Sequence, residues 1–373
     1  KELGRDTEFA YLLDHLEEER QQGITIDTTQ VFFKTDKREY IIIDAPGHVE
    51  FVKNMITGAS QAEAALLIVD AKAGVEEQTK RHATIISMLG IAQVVVLISK
   101  MDLMNFDQEL FGKLKEEVER FLNTFHITAQ HYVPISALKG DNVACASAAM
   151  PWYSGPTVLG CLDLFRNKAS VDAEALIFPV QGIYKLDDKR IVVGRIESGK
   201  IRQGQDIRVL PENKTTKVKT IEKFLEEREE CFAGECIGIT TEDSLFLERG
   251  NVICEKEKTL STSDTFQANI FWMSKKDYTK GEKVTLRCAT QEMPCKIEQI
   301  HRRINSSSLE VIGENADELK NLEIGSVTIK TKKPMVIEDF NTIQEIGRFV
   351  LVRDESTCAG GIITHTSGDG SVE

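Results

Sequence analysis

The run Tyr40-Ile41-Ile42-Ile43-Asp44-Ala45-Pro46-Gly47-His48 decides how the rest of the chain is read. Tyr40 to Ile43 have strand character and lead straight into Asp-x-Pro-Gly-His, with a helix-like segment behind. This pattern describes a buried parallel strand whose carboxyl end delivers a carboxylate and a glycine amide to a ligand crevice. Asp44 suits a water-mediated contact to a phosphate-bound Mg²⁺, because hard cations take oxygen ligands. Gly47 lets the backbone approach a terminal phosphate that a Cβ would crowd. His48 then stands where it can orient an attacking water. A strand closing in a Pro-Gly turn explains the same residues without any ligand, so the surroundings must decide.

Upstream, Phe9, Leu12, Leu13 and Leu16 recur at helical spacing ahead of the charged turn Glu17-Glu18-Glu19-Arg20, which predicts a helix over 5–20. Val31-Phe32-Phe33 predicts a strand that hairpins through Thr35-Asp36-Lys37 back to 40–44. Thr25, in Gly23-Ile24-Thr25-Ile26-Asp27, is by itself an ordinary strand residue. Ahead of the Asp44 strand it also fits the hydroxyl that reaches Mg²⁺ and closes over a γ-phosphate. Downstream, strands at 64–70, 93–98 and 131–135 alternate with helices near 76–89, across 107–125 and near 157–166. That alternation predicts a doubly wound, mainly parallel α/β sheet with its crevice at the strands' carboxyl ends.

Two of those ends carry chemistry. In Ser99-Lys100-Met101-Asp102, a carboxylate can accept hydrogen bonds from guanine N1–H and N2–H₂, a donor pair that adenine lacks. Leaving a buried carboxylate unpaired is costly, so Asp102 sets base identity. The Lys100 stem can lie flat over the purine. In Ser136-Ala137-Leu138 the Ala137 amide can donate to guanine O6. Singly, K-x-D fits a surface ion-pair loop and S-A-L says almost nothing. Their order after successive strands is the signal.

After Lys168-Ala169-Ser170 helical patterns almost disappear, and short strands separated by Gly-containing turns follow, spaced as in a barrel. The chain reads as a nucleotide-binding domain over 1–168 and two β-barrels over 174–256 and 262–373, with Ala316–Asn321 the one helix-like piece of the last.

Composition bounds the rest. Lys and Arg number 46 against 59 Asp and Glu, a net charge of −13, which argues against a large nucleic-acid footprint. No apolar run approaches the roughly 18 residues of a membrane helix, and no signal peptide is seen. The first residue is not Met, so the chain is expected to begin inside a longer protein. Eight Cys lie scattered without a C-x-x-C pair, as in reduced, mostly buried cytoplasmic thiols. Among the histidines, 15, 82, 126, 131, 301 and 365 show no metal spacing and read as structural or exposed. Trp152 and Trp272 read as packing anchors.

The order of these motifs resembles translation-factor-type GTPases over nearly the whole length. Within that superfamily the chain looks most like the GTP-binding subunit of bacterial sulfate adenylyltransferase. Gly140-Asp141-Asn142-Val143 leading to Met150–Thr157 is shared with archaeal and eukaryotic elongation factors. The narrower likeness rests on Val209-Leu210-Pro211 with Lys217-Val218, on Phe232-Ala233-Gly234-Glu235, and on Phe271-Trp272-Met273. The resemblance implies GTP and Mg²⁺ as ligands. Thr25 and Asp44 would stand at the metal, Gly47 at the γ-phosphate and His48 at the water. Ser99, Lys100, Asp102, Ser136, Ala137 and Leu138 would surround the base. It also implies coupling of GTP hydrolysis to adenylyl sulfate (APS) synthesis from ATP and sulfate, with a separate catalytic adenylyltransferase subunit as the partner in a hetero-oligomer. The alternative it leaves open is an elongation-factor-like carrier of aminoacyl-tRNA. That role would need a basic barrel surface, whereas residues 256–373 hold 16 Lys and Arg against 18 Asp and Glu.

There are departures from the pattern. Asp44–Ala59 is worded more like an elongation factor than like a sulfurylase subunit, and Ser99 stands where the family usually has Asn. No G-x-x-x-x-G-K-[ST] occurs in the 373 residues. That loop and its strand are expected before Lys1, and the chain as written is expected to bind GTP poorly and to expose core surface.

Overall fold

The computed structural model describes residues 25–366 except 60, 61, 126, 167–174, 187, 188, 224, 225, 307 and 309. The helix expected over 5–20 and the junction at 168–174 lie outside the described residues. The chain divides into two compact units, residues 1–167 with 306–309 and residues 168–305 with 310–373.

In the first unit, β1 (Thr29–Lys34) and β2 (Glu39–Asp44) form an antiparallel hairpin in which Thr29 faces Asp44. The Thr35 N–H donates to the Arg38 carbonyl at 2.9 Å and closes the expected turn. A 3-10 turn, Val49–Phe51, and α1 (Val52–Ala59) follow. Three further strands, β3 (Ala64–Asp70), β4 (Gln93–Ser99) and β5 (Ala129–Pro134), make a parallel sheet in that order. Between them run α2 (Glu77–Met88) and α3 (Gln108–Asn123), and α4 (Val158–Leu164) comes after β5.

The near-continuous apolar runs of β3 and β4 follow from cover on both faces. Leu67, Val69, Val94, Val96 and Ile98 share one core with Ala83 and Ile86 of α2 and Leu114, Val118 and Leu122 of α3. Val95, Leu97 and Val133 share the other with Val158, Cys161 and Leu162 of α4. Helix α3 presents Leu114, Val118 and Leu122 every fourth residue, and Asp107 caps it by accepting from the Glu109 and Leu110 amides at 2.7 and 3.2 Å.

The hairpin is fastened to the end of α4. Asp163 accepts from the Tyr40 hydroxyl at 2.6 Å and the Thr35 hydroxyl at 3.0 Å, and Arg38 donates to the Phe165 carbonyl at 2.6 Å. Among the described residues no strand joins the hairpin to the parallel sheet, so the expected doubly wound sheet stands in two pieces. The buried parallel strand expected over 40–43 is corrected, because it pairs antiparallel with β1. With no described strand beside it in the parallel sheet, its Ile41 and Ile42 are 56% and 42% exposed, as is Ile68 of β3 at 61%.

The second unit holds two closed antiparallel barrels. In the first, the ring runs Lys214–Lys223, Cys236–Thr241, Lys189–Arg195, Ile177–Leu186, Val252–Glu255 and Asp206–Leu210, which pairs back onto Lys214–Lys223. In the second it runs Lys283–Cys288, Arg348–Arg353, Ser356–Thr366, Thr262–Trp272, Glu323–Val336 and Gln291–Asn305, closed by pairing back onto Lys283–Cys288. Closure pairs both sides of every ring strand, while Val311–Ala316 hangs on Gln291–Asn305 as an appended edge. Trp272 is buried in the second barrel, where its indole N–H donates to the Lys276 carbonyl at 3.1 Å. Six of the eight cysteines are buried, and burial raises the Cys288 and Cys295 thiols to about 12.

The helix-like reading of Ala316–Asn321 is corrected. Glu318–Leu319 is a short strand paired with Tyr278–Thr279. Leu319 is fully buried in the barrel core, and positive φ at Asn315 (49°) and Leu322 (63°) breaks any helix on both sides. Instead, Gln344–Gly347 makes a single helical turn.

Candidate nucleotide site

The base-side residues are brought together by the β-ladder. Asp70 lies opposite Ser99 in the β3–β4 register, and the Ala71 N–H donates to the Ser99 carbonyl at 2.9 Å. The chain then turns at Lys100, whose φ of 62° is a left-handed conformation that costs a residue with a Cβ about 1–2 kcal/mol. Met101–Met104 forms a 3-10 turn. The Met101 N–H donates to the Ile135 carbonyl at 3.1 Å and the Ile135 N–H to the Ile98 carbonyl at 2.8 Å. The loops after β4 and β5 are thereby stitched to each other.

Asp102 sits half-buried on this turn. Among the described residues nothing donates a hydrogen bond or an ion pair to its carboxylate. Lys100 points its ammonium elsewhere, to Asp70 Oδ2 at 2.7 Å. That bond holds the Asp70 carboxyl below its ordinary range and raises the Lys100 ammonium.

Ser136 is fully buried. Its Oγ accepts from the Lys139 amide at 3.3 Å, and its carbonyl accepts from the Gly140 and Asp141 amides at 2.8 and 3.1 Å. The tight turn leaves Ala137 and Leu138 in solvent, Leu138 at 81% exposure. Asn142 supports the loop from behind. It is buried at a φ of 56°, donates to the Pro134 carbonyl at 2.9 Å and accepts from the Ser147 amide at 2.8 Å. The Gly140–Val143 stretch quoted above for its resemblance is therefore the scaffold of the Ser136–Leu138 loop.

The second group lies around the end of the hairpin. Thr25 and Ile26 precede β1, and Asn54 of α1 donates to the Ile26 carbonyl at 2.9 Å. Asp44 is the last residue of β2 and is half-buried. His48 caps the Val49–Phe51 turn, its Nδ1 accepting from the Glu50 amide at 3.4 Å. With Nδ1 accepting, the neutral ring carries its proton on Nε2, where it can donate to a water.

Gly47 has no packing reason to be glycine. A Cβ built there would meet only the His82 Cε1, at an ordinary 3.5 Å, and its φ is not left-handed. Packing alone would therefore accept a methyl group at this position. Gly58 differs, because a Cβ there would collide with the Thr28 and Ile43 side chains.

His82 belongs to this group and sequence reasoning set it aside. Its Nε2 donates to the Gly47 carbonyl at 3.1 Å. Burial lowers its pKa, the Arg81 charge lowers it further and the Gly47 bond partly opposes this. Burial thus favours the neutral imidazole, which donates to the carbonyl of the residue just before His48. No spacing signal marks it, since its partner lies 35 residues away. Among the described residues no group of three His, Cys, Asp or Glu is arranged to hold a metal by itself. A cation here would need oxygens from Thr25, from water on Asp44 and from a ligand.

A family model for the elongation factor Tu GTP binding domain matches residues 1–230, and one for GTP-eEF1A C-terminal domain-like proteins matches residues 265–364. Elongation factor 1-alpha of Methanopyrus kandleri is 38% identical, over 97% of this chain and 90% of its own length. The same factor of Pyrococcus horikoshii is 37% identical, over 97% and 88%. Sulfate adenylyltransferase subunit 1 of Alteromonas mediterranea is 34% identical, over 98% and 78%. Among solved structures, sup35 complexed with GDP and with GMPPNP share the fold at a TM-score of 0.50, with 24% and 25% identity over 90% of this chain and 83% of theirs. No helix among the described residues is long and apolar enough to cross a membrane.

Proposed function

The chain belongs to the elongation factor Tu-type GTPase family, and from that premise we propose that it is the GTPase subunit of a sulfate adenylyltransferase. In that reading it couples GTP hydrolysis to adenylyl sulfate formation on a separate catalytic subunit. The open, half-buried carboxylate of Asp102 carries the nucleotide part of the reading. It would take the two adjacent donors of guanine, with the Ala137 amide on O6, the Lys100 stem on the ring, and Ser136 and Leu138 framing the loop. Ser99 ends β4 and hands the chain to Lys100.

Thr25 and Asp44 offer the oxygen chemistry that Mg²⁺ prefers, and the cation would draw charge from the phosphates. Gly47 would let its amide meet the terminal phosphate. His48, held at Nδ1, would aim its Nε2 at a water in line with the bond that breaks. Attack by that water on the γ-phosphorus releases GDP and inorganic phosphate. Positioning and charge account for most of such catalysis, so His48 is an orienting group and not a strong base.

The adenylyltransferase partner is favoured over RNA by the near-neutral charge of the last barrel, whose basic residues His301, Arg302, Arg303, Lys330, Lys332 and Lys333 are partly engaged within it. Arg303 is ion-paired with Glu323 at 2.6 Å, Arg302 with Glu314 at 3.9 Å, and His301 hydrogen-bonds Thr328 at 2.8 Å. The two arginines are ion-paired within the barrel, whereas an RNA footprint needs cations free to release counterions. Lys330, Lys332 and Lys333 have no ion-pair partner among the described residues. The second reading, an aminoacyl-tRNA carrier, draws on the elongation factor 1-alpha relatives, which match at similar identity over more of their own length.

One experiment separates the two. GTP hydrolysis by the full-length protein is followed with and without the adenylyltransferase subunit, ATP and sulfate. Stimulation with adenylyl sulfate appearing alongside GDP supports the proposal. No stimulation, together with salt-sensitive binding of aminoacyl-tRNA in the GTP state alone, replaces it with the second reading.

A further inference from the structure

The geometry points to Asp70 as the residue that positions Lys100 for the purine and keeps its ammonium off Asp102. The inference rests on the guanine-nucleotide reading of the site. Asp70 is the last residue of β3, and the parallel register sets it beside Ser99 at the start of the base loop. One carboxylate oxygen, Oδ1, accepts from the Lys72 and Ala73 amides at 2.7 and 3.3 Å. That local turn fixes the plane of the carboxylate. The other oxygen, Oδ2, then meets the Lys100 ammonium at 2.7 Å.

Lys100 is held at its other end as well. Its backbone stands at a φ of 62°, its carbonyl accepts from the Leu103 amide at 3.1 Å, and the preceding Ser99 carbonyl is taken by Ala71. With its backbone fixed and its ammonium anchored, this exposed side chain has fewer rotamers open to it before any ligand arrives. The apolar stem between the clamps offers a flat surface for a purine, and the ordering cost is not charged to binding. An ordinary surface ion pair has no such consequence. The difference here is the carboxylate pinned by two backbone amides and the lysine pinned by its own backbone.

The second half of the inference concerns charge. Asp102 lies two residues beyond Lys100 on the same tight turn, and its carboxylate has no partner among the described residues. A cation on a flexible stem in that turn would be drawn to it. With Asp70 taking the ammonium, the Asp102 oxygens stay open for the base.

The test is a double-mutant cycle in the full-length protein, reading GDP affinity by calorimetry and melting temperature in parallel. Asp70→Asn keeps an Oδ1 acceptor for the local turn and removes the charge that holds Lys100. Lys100→Met keeps an apolar stem and removes the ammonium. D70N is expected to weaken GDP binding about tenfold, the scale of ordering one long side chain, with a melting temperature close to wild type. In the K100M background D70N is expected to change GDP affinity less than about twofold, because the group it acts through is gone. GDP affinity within twofold of wild type in D70N alone would overturn the inference. So would an equal loss with and without the ammonium, which would reduce Asp70 to a turn-former. Wild-type protein that binds no GDP at micromolar concentrations would instead remove the guanine-nucleotide reading, and this inference with it.

Discussion

The turn after β4 is held by strand-ladder neighbours. Met101 is bonded to Ile135, Ile135 to Ile98, and Lys100 is clamped to Asp70. The turn after β2 leans on side chains from helices. His82 of α2 supports the Gly47 carbonyl, and Asn54 of α1 supports Ile26 near Thr25. Backbone bonds between adjacent parallel strands form whenever the sheet forms, so the base side is preorganised by the fold itself. A side chain reaching across from a helix can let go while the fold stays intact. Under the proposed function, the first loop would need one fixed shape to recognise a base and the second would need two to sense a terminal phosphate.

The largest expected effects fall on the rigid side. Asp102→Ala removes an acceptor for two guanine donors and is expected to lower guanine-nucleotide affinity by about 3 kcal/mol, over a hundredfold, with the fold unchanged. An unchanged dissociation constant by calorimetry would break the assignment of this loop to the base.

Asn142→Ala leaves the Pro134 carbonyl and the Ser147 amide without partners and puts alanine at positive φ. A loss of about 3 kcal/mol in the unfolding of the first unit is expected in chemical denaturation. A loss below about 0.5 kcal/mol would mean that the loop does not depend on its scaffold.

At the turn after β2, structure and activity should separate. Gly47→Ala has room for its methyl group, so the melting temperature is expected to hold while GTP hydrolysis falls at least about tenfold, since one misplaced contact can cost that much. A fall in melting temperature with hydrolysis intact would make Gly47 a packing residue after all.

His82→Asn is the finest probe. It is expected to reduce kcat a few-fold with KM little changed, because it acts on the Gly47 carbonyl and not on nucleotide binding. Its pH signature has a definite sign. The folded pKa of His82 lies below its ordinary 6.5, chiefly through burial. Below about pH 6.5 the unfolded chain takes up a proton that the folded imidazole resists. The contribution of His82 to stability is therefore complete above that pH and is lost as pH falls toward and through the folded pKa. In the Asn variant that part of the acid-side decline should vanish from the denaturation midpoint.

Much of this site was legible as a string. Asp44–His48, Ser99–Asp102 and Ser136–Leu138 each end a strand that the apolar runs mark out, and in the structure each lies at a strand's carboxyl end. Asp70, His82 and Asn142 were not singled out. Asp70 meets Lys100 only through the register of β3 with β4, and His82 meets Gly47 only because α2 packs near the end of the hairpin. Asn142 lies in a stretch shared with elongation factors, yet its part as scaffold depends on its amide standing between Pro134 and Ser147. Ala316–Asn321 misled because burial of Leu319 in a barrel and its pairing with Tyr278 are long-range facts that six residues do not show.

By itself the sequence determined the local alphabet of the protein. The apolar runs at 64–70 and 93–98 became parallel strands, the run at 40–43 became half of an antiparallel hairpin, alternating runs became barrel walls, and short polar motifs fell at strand ends. Each depends on residues close together in the chain, where periodicity and turn chemistry act. Tertiary structure alone decided what holds those motifs still. The clamp of Lys100 by Asp70, the grip of His82 on Gly47 and the room beside Gly47 arise between residues 30 to 35 positions apart. Such contacts exist only once packing has paid the entropy of bringing the segments together.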